Sequence, residues 1–252
     1  MRFLLYLASV TCFASAALAA DVCGEREVEG PYGLQLSGIT KITPTEQPAA
    51  TIARLVFNDE GSVNGISSVN FNGWYLGNPV TGHYQVDQDC TLTLSLQDDS
   101  GAHQHFAGKV TPGGRKATVH QTDPGANQRG VMGKTSDSCD ASNFKPAYVF
   151  TLSGGPTPLA AGGISGSISA EGVIHREGEG QFMLIRKPNQ TAPGTYSVES
   201  DCFVNMEFTL PPTGTEAAIP IKLRGILVND GAEILAIGAQ PELTVVARFI
   251  AR

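Results

Sequence analysis

The stretch "HQH" (103–105) sets two imidazoles, His103 and His105, two residues apart. On a β-strand that spacing puts both on one face, as a metal site would need. His83 and His120 are further imidazoles that could join them. Alternation argues for a solvated face instead. Phe106, Gly108 and Val110 take the core side of the same run, so His103 and His105 share the outward parity of Ala107 and Lys109. No acid stands at the spacing a facial triad requires. A second candidate is "VNFNGWYLG" (69–77), which holds the single tryptophan. Read as one strand, it sets Asn70, Asn72 and Trp74 on one face as a ligand contact: amides beside an aromatic ring. The competing expectation is that Trp74 is mostly buried, over a barrel mouth or a seam between units. Asp89 and Asp201 each precede a cysteine in a turn, where an Asx hydrogen bond to the chain's own backbone is the simpler role.

Other chemistries lack their residues. No G-x-S-x-G elbow supports a hydrolase triad. "TPGG" and "GGISG" lack the lysine and following helix of a phosphate loop, and no dinucleotide fingerprint occurs. The sequence therefore calls for no cofactor and no catalytic residue. "NQT" (189–191) is an N-glycosylation sequon at Asn189, relevant only in a host that glycosylates.

The elements that would position these residues come in two sets. "GHYQVDQDC" (82–90) returns as "GTYSVESDC" (194–202). "YGLQLSG" (32–38) matches "YVFTLSG" (148–154), and Cys23 matches Cys139 at the same offset. "NDEG" (58–61) aligns with "SAEG" (169–172), and "GKVTPGGRKATVHQTDP" (108–124) with "GILVNDGAEILAIGAQP" (225–241). The matches run in one order with little drift, which predicts a tandem duplication: units 21–134 and 135–252, joined by the polar "GKTSDS".

Each unit alternates with period two. Tyr32, Leu34 and Leu36 share a face, as do Cys90, Leu92, Leu94 and Leu96. Turn residues separate the runs, giving about seven or eight short antiparallel strands per unit. A sheet apolar on one face must cover it. Closure into two small up-and-down barrels is the expectation, with β-sandwiches or one fused sheet as the competing solutions. "EILAIGA" (233–239) and the C-terminal stretch from Leu243 to Ile250 are apolar on both faces. The second unit should therefore pack an outer face against the first unit or form an oligomer through that last strand.

Residues 1–19 read as a secretory signal peptide, ending in the A-x-A site Ala17-Leu18-Ala19. No Leu-x-small triplet directly precedes Cys23, so a lipid anchor is not expected, and no later stretch is apolar enough to span a bilayer. Loss of the leader removes Arg2 and Cys12 and leaves 16 basic against 24 acidic residues. That balance disfavours nucleic acid and anionic membrane as partners. Secretion into an extracellular or periplasmic space makes the remaining four cysteines a disulfide set. Repetition selects Cys23–Cys90 and Cys139–Cys202, one bridge per unit.

The phrase G-x-Y-x-V-x-x-D-C resembles the G-T-Y-T-V-x-x-D-C-T-G signature of secreted, largely bacterial proteins of unknown function. It covers 82–91 and 194–202 and departs after the cysteines, at Leu92 and Phe203. The resemblance implies a compact secreted β fold and no activity. Three functions fit these observations. The leading one is an exported, non-catalytic barrel protein holding a small apolar ligand. The second is a structural or adhesive surface protein that meets a protein partner through its outer faces. The third is a barrel isomerase or cyclase acting on a lipid-like substrate, which needs a buried polar cluster.

Overall fold

The computed structural model describes residues 23–40, 46–157, 166–212 and 217–252. The signal-peptide segment lies outside them. The first eight strands are β1 (Gly30–Thr40), β2 (Gln47–Phe57), β3 (Ser62–Phe71), β4 (Trp74–Val86), β5 (Thr91–Asp98), β6 (His103–Val110), β7 (Lys116–Gln121) and β8 (Arg129–Lys134). Each pairs antiparallel with the next, and β1 closes on β8 with Leu34 opposite Met132. The second eight are β9 (Ala147–Pro156), β10 (Ile168–Gly178), β11 (Gln181–Lys187), β12 (Gln190–Val198), β13 (Phe203–Leu210), β14 (Ile219–Val228), β15 (Glu233–Gly238) and β16 (Leu243–Ala251). They close the same way, β9 against β16, with Phe150 opposite Phe249. Two barrels, not sandwiches or one fused sheet, solve the burial problem.

Eight strands enclose a space that side chains can fill. In the first barrel Leu34, Leu36, Leu55, Leu94, Phe106 and Met132 fill it. In the second, Phe150, Phe182, Leu184, Met206, Phe208 and Phe249 do so. One end of each barrel is plugged by the chain leading into its first strand. Val28, from a 3-10 turn at Glu25–Val28, is fully buried in the first. Phe144 plugs the second and stacks on Tyr196 with ring centroids 3.9 Å apart. The bridges Cys23–Cys90 and Cys139–Cys202 tie these arms down. They span 67 and 63 residues, and closing loops of that length contributes about 4 kcal/mol each in the chain-entropy account. Disulfides of this kind belong to oxidising compartments outside the cytosol.

Glycine inside the first barrel has a steric cause. A Cβ on Gly82 would stand 1.9 Å from the Ser95 carbonyl oxygen, so strands can approach there only without a side chain. Gly82 lies well inside β4. One sequence alignment needs correction: residues 169–172, set against the turn at 58–61, lie inside β10. The turn that does the same work is at Glu179 and Gly180. Tyr84 N–H donates to Gly61 O, and Tyr196 N–H donates to Gly180 O. The Glu-Gly pair occurs three times in that region, at 171–172, 177–178 and 179–180, and only the hairpin register tells the copies apart.

The barrels meet along a seam. Ala50 and Ile52, on the outer face of β2, belong to the same apolar cluster as Ile226, Val228, Leu235 and Ile237 of the second barrel. Gly33 lets the surfaces close, since a Cβ there would sit 2.6 Å from Ile226 and 2.7 Å from Val228. The Gln35 amide donates to the carbonyl oxygens of Ala236 and Ala247 at 2.6 and 2.9 Å. This explains why β15 is buried on both faces. The expected oligomer through the C-terminal strand finds no such support. β16 is paired on both sides, Val246 packs toward the seam, and Ile250 is the large apolar side chain it leaves exposed.

Candidate functional site

The end of the first barrel opposite its plug is open. A cavity of about 400 Å³ lies there, in the size range of small-ligand pockets. Phe71, Leu76, Val80 and Leu96 supply its apolar wall. Asn78 and Gln104 line it with side-chain amides that bond to no other described residue. No lysine or arginine lines it among the described residues. Its two carboxylates are already engaged. Asp98 accepts from Ser100 N–H, Ser100 Oγ–H and Ala102 N–H. Asp123 accepts from the His105 backbone N–H at 2.8 Å, from the His105 ring at 2.7 Å and from the Gln121 amide at 2.9 Å. Burial acts to raise the Asp123 pKa, but these hydrogen bonds outweigh it and hold the carboxyl below its ordinary value.

A buried polar chain stiffens one side of this mouth. Thr51 Oγ1 donates to Gln128 Oε1, Gln128 Nε2 donates to Gln121 Oε1, and Gln121 Nε2 donates to Asp123. Every link has a partner, so the chain fixes the wall instead of offering groups to a ligand. Residues 122–128 fold against the end of β1, where Asn127 N–H donates to Ile39 O and Ile39 N–H donates to Asn127 Oδ1.

The residues singled out in the sequence are dispersed by the structure. Asn72, at φ 45°, and Gly73 form the hairpin turn between β3 and β4, so 69–77 is two strands and not one. Phe71 then faces Trp74, and Asn70 faces Tyr75. Asn70 and Trp74 consequently point to opposite faces. Asn70 is fully buried in the seam, within 2.8 to 3.0 Å of the carbonyl oxygens of Gly238, Gln240 and Leu243. Asn72 lines a groove of about 250 Å³ with Gly154, Pro156 and Thr244. Trp74 stands at the rim of the mouth, 62% exposed, neither buried in the seam nor covering the opening. His103 lines the mouth from its exposed edge, and His105 is turned out onto Asp123. No group of three His, Cys, Asp or Glu side chains able to hold a metal occurs among the described residues. Asp89 caps its own turn by accepting from Thr91 N–H, and Lys109 pairs with it.

The residues that matter at the mouth, Leu76, Asn78 and Gln104, carried no motif. The Asn-Gly pair at 72–73 was the available signal. As a hairpin turn it would have put Trp74, Leu76 and Asn78 on the inward parity of Val80 and Tyr84. In the second barrel Asn189 is exposed in the β11–β12 turn.

No protein-family model matches the sequence, and no curated protein matches it. Among solved structures, the chain is similar to the isotype 1 transferrin binding protein B from serogroup B Neisseria meningitidis. The identity is 9% and the TM-score 0.31, over 82% of this chain and 63% of that one. The chain thus spans less than two thirds of that structure, and a likeness of this size carries no functional argument. No helix among the described residues is long and apolar enough to cross a membrane.

Proposed function

We propose that the protein is exported, non-catalytic and disulfide-bonded, and that the mouth of its first barrel binds a small uncharged ligand with an apolar body. The supporting observation is the contrast within that barrel: side chains fill the plugged half, while about 400 Å³ stays open at the other end. Phe71, Leu76, Val80 and Leu96 would take the apolar body, and the free amides of Asn78 and Gln104 a hydroxyl, carbonyl or amide. With two carboxylates and no lysine or arginine among its described lining residues, the opening would repel an anion. No ligand is proposed for the second barrel, because side chains pack its interior.

The export reading rests on the leader 1–19 and on the two bridges. Duplication into units 21–134 and 135–252 is supported by matching details. Tyr32 Oη–H donates to Gly114 O, and Tyr148 Oη–H donates to Gly231 O. Cys90 and Cys202 have φ of 66° and 68°. Calorimetric titration with a panel of uncharged amphiphiles tests the binding reading. The native protein should bind at one site, and Leu76→Arg should weaken that binding about tenfold, or about 1.4 kcal/mol. Equal binding by the two proteins would refute it.

A further inference from the structure

A second cavity lies at the other end of the first barrel, on the seam. It holds about 440 Å³ between the outer faces of β7 and β8 and those of β14, β15 and β16. Its wall is apolar: Val110, Pro112, Val131, Val228 and Leu235. Its charge is the reverse of the protein's. The chain carries a net charge of −7, yet Lys109, Lys116 and Arg248 line this groove against one acid, Glu233.

The cations are held in place. Glu233 is 5% exposed and accepts from Arg248 Nε–H on one oxygen, and from Lys116 Nζ–H and Asn229 Nδ2–H on the other. Burial acts to raise its pKa, but the bonds from Arg248 and Lys116 outweigh that and keep it ionised. One carboxylate thus orients two cations, Lys116 from the first barrel and Arg248 from the second. Lys109 is taken up by Asp89 and Thr91. Arg248 spends its Nε–H on Glu233, and its terminal nitrogens bond to no other described residue. The cluster keeps one positive charge in excess, on a guanidinium whose paired N–H groups suit a carboxylate.

We infer that this groove binds a small carboxylate with an apolar body, such as a medium-chain alkanoate, its chain along Val131 and Leu235 and its head on Arg248 and Lys116. The site is separate from the barrel mouth. On β6 it touches Val110, whereas the mouth touches His103, roughly 20 Å away along the strand.

The test is calorimetric titration of the full chain with decanoate and, in parallel, decanol. Decanoate should bind at one site at least about tenfold more tightly than decanol does there. Arg248→Gln should remove that preference. Thr118→Glu, at an exposed position lining the groove, should weaken decanoate about tenfold without touching the core, and leave uncharged ligands at the mouth unaffected. Failure of decanoate to bind, or binding unchanged in both variants, would overturn the inference. So would binding lost in Leu76→Arg but kept in Thr118→Glu, which would put the carboxylate at the mouth.

Discussion

The side-chain amide of Asn70, on β3, lies 2.8 Å from the carbonyl oxygen of Leu243, on β16, across the seam between the barrels. The same nitrogen reaches Gly238 O and Gln240 O, and Thr244 Oγ1–H donates to the Asn70 oxygen. One fully buried side chain thus satisfies the turn between β15 and β16. Asn70→Ala would strand several of these carbonyls without water. The expected cost is about 2 to 4 kcal/mol in denaturant unfolding, with binding at the mouth unchanged. A change within about 0.5 kcal/mol, as at an ordinary surface position, would contradict this role.

Gly82 tests the close approach of β4 and β5. The oxygen a new Cβ would strike belongs to the backbone of Ser95, which cannot swing aside as a side-chain tip can. Gly82→Ala should cost about 3 kcal/mol. Gly178→Ala is the control: like Gly82 it belongs to a strand and has no positive φ, but nothing lies within 4 Å of the added atom. If the two variants melt alike, contact with the Ser95 backbone does not explain the glycine.

Three buried tyrosines predict alkaline unfolding. Desolvation, then nearby Glu27, pushes Tyr32 up to about 12. Desolvation, with Glu25, Glu29 and Asp59, does the same for Tyr84. Desolvation raises Tyr148 to about 12 against the opposing hydrogen bond from Lys145 N–H. Below pH 10 the phenols are neutral in both states, and stability does not depend on them. Between pH 10 and 12 the unfolded chain has released these protons and the folded one has not, so stability falls as pH rises. Unfolding followed across that range should show the decline, and Tyr32→Phe and Tyr148→Phe should each reduce its slope. A flat profile would mean that the rings titrate as if exposed.

Much of this fold was legible in the sequence because strand burial is written with period two. The alternation at Tyr32, Leu34 and Leu36 marks the inward face of β1, and the two-sided "EILAIG" marks the strand buried at the seam. Repetition also pointed to the disulfide pairing, since each set of strands holds one cysteine before it and one after the Asp-Cys turn. The site was less legible. Asn70, Asn72 and Trp74 look equivalent along a line, but a positive φ at Asn72 folds that line in two. Whether Asn70 meets water, a ligand or another barrel depends on which outer faces dock, and that is a property of two surfaces at once. The Lys116–Glu233–Arg248 cluster has the same character, because Lys116 lies 117 residues from Glu233.

Trp74, the single tryptophan, stands across from Phe71 of the mouth's wall, so it can donate energy to a fluorophore bound there, and the Leu76→Arg variant tells that site from the others. The most direct measurement is energy transfer from Trp74 to an uncharged apolar fluorophore, N-phenyl-1-naphthylamine, titrated into the native protein and Leu76→Arg. Saturable transfer at one equivalent, weakened about tenfold in the variant and reversed by an uncharged competitor, is the expected result. Transfer that never saturates, or that is the same in both proteins, would contradict a binding site at the mouth of the first barrel.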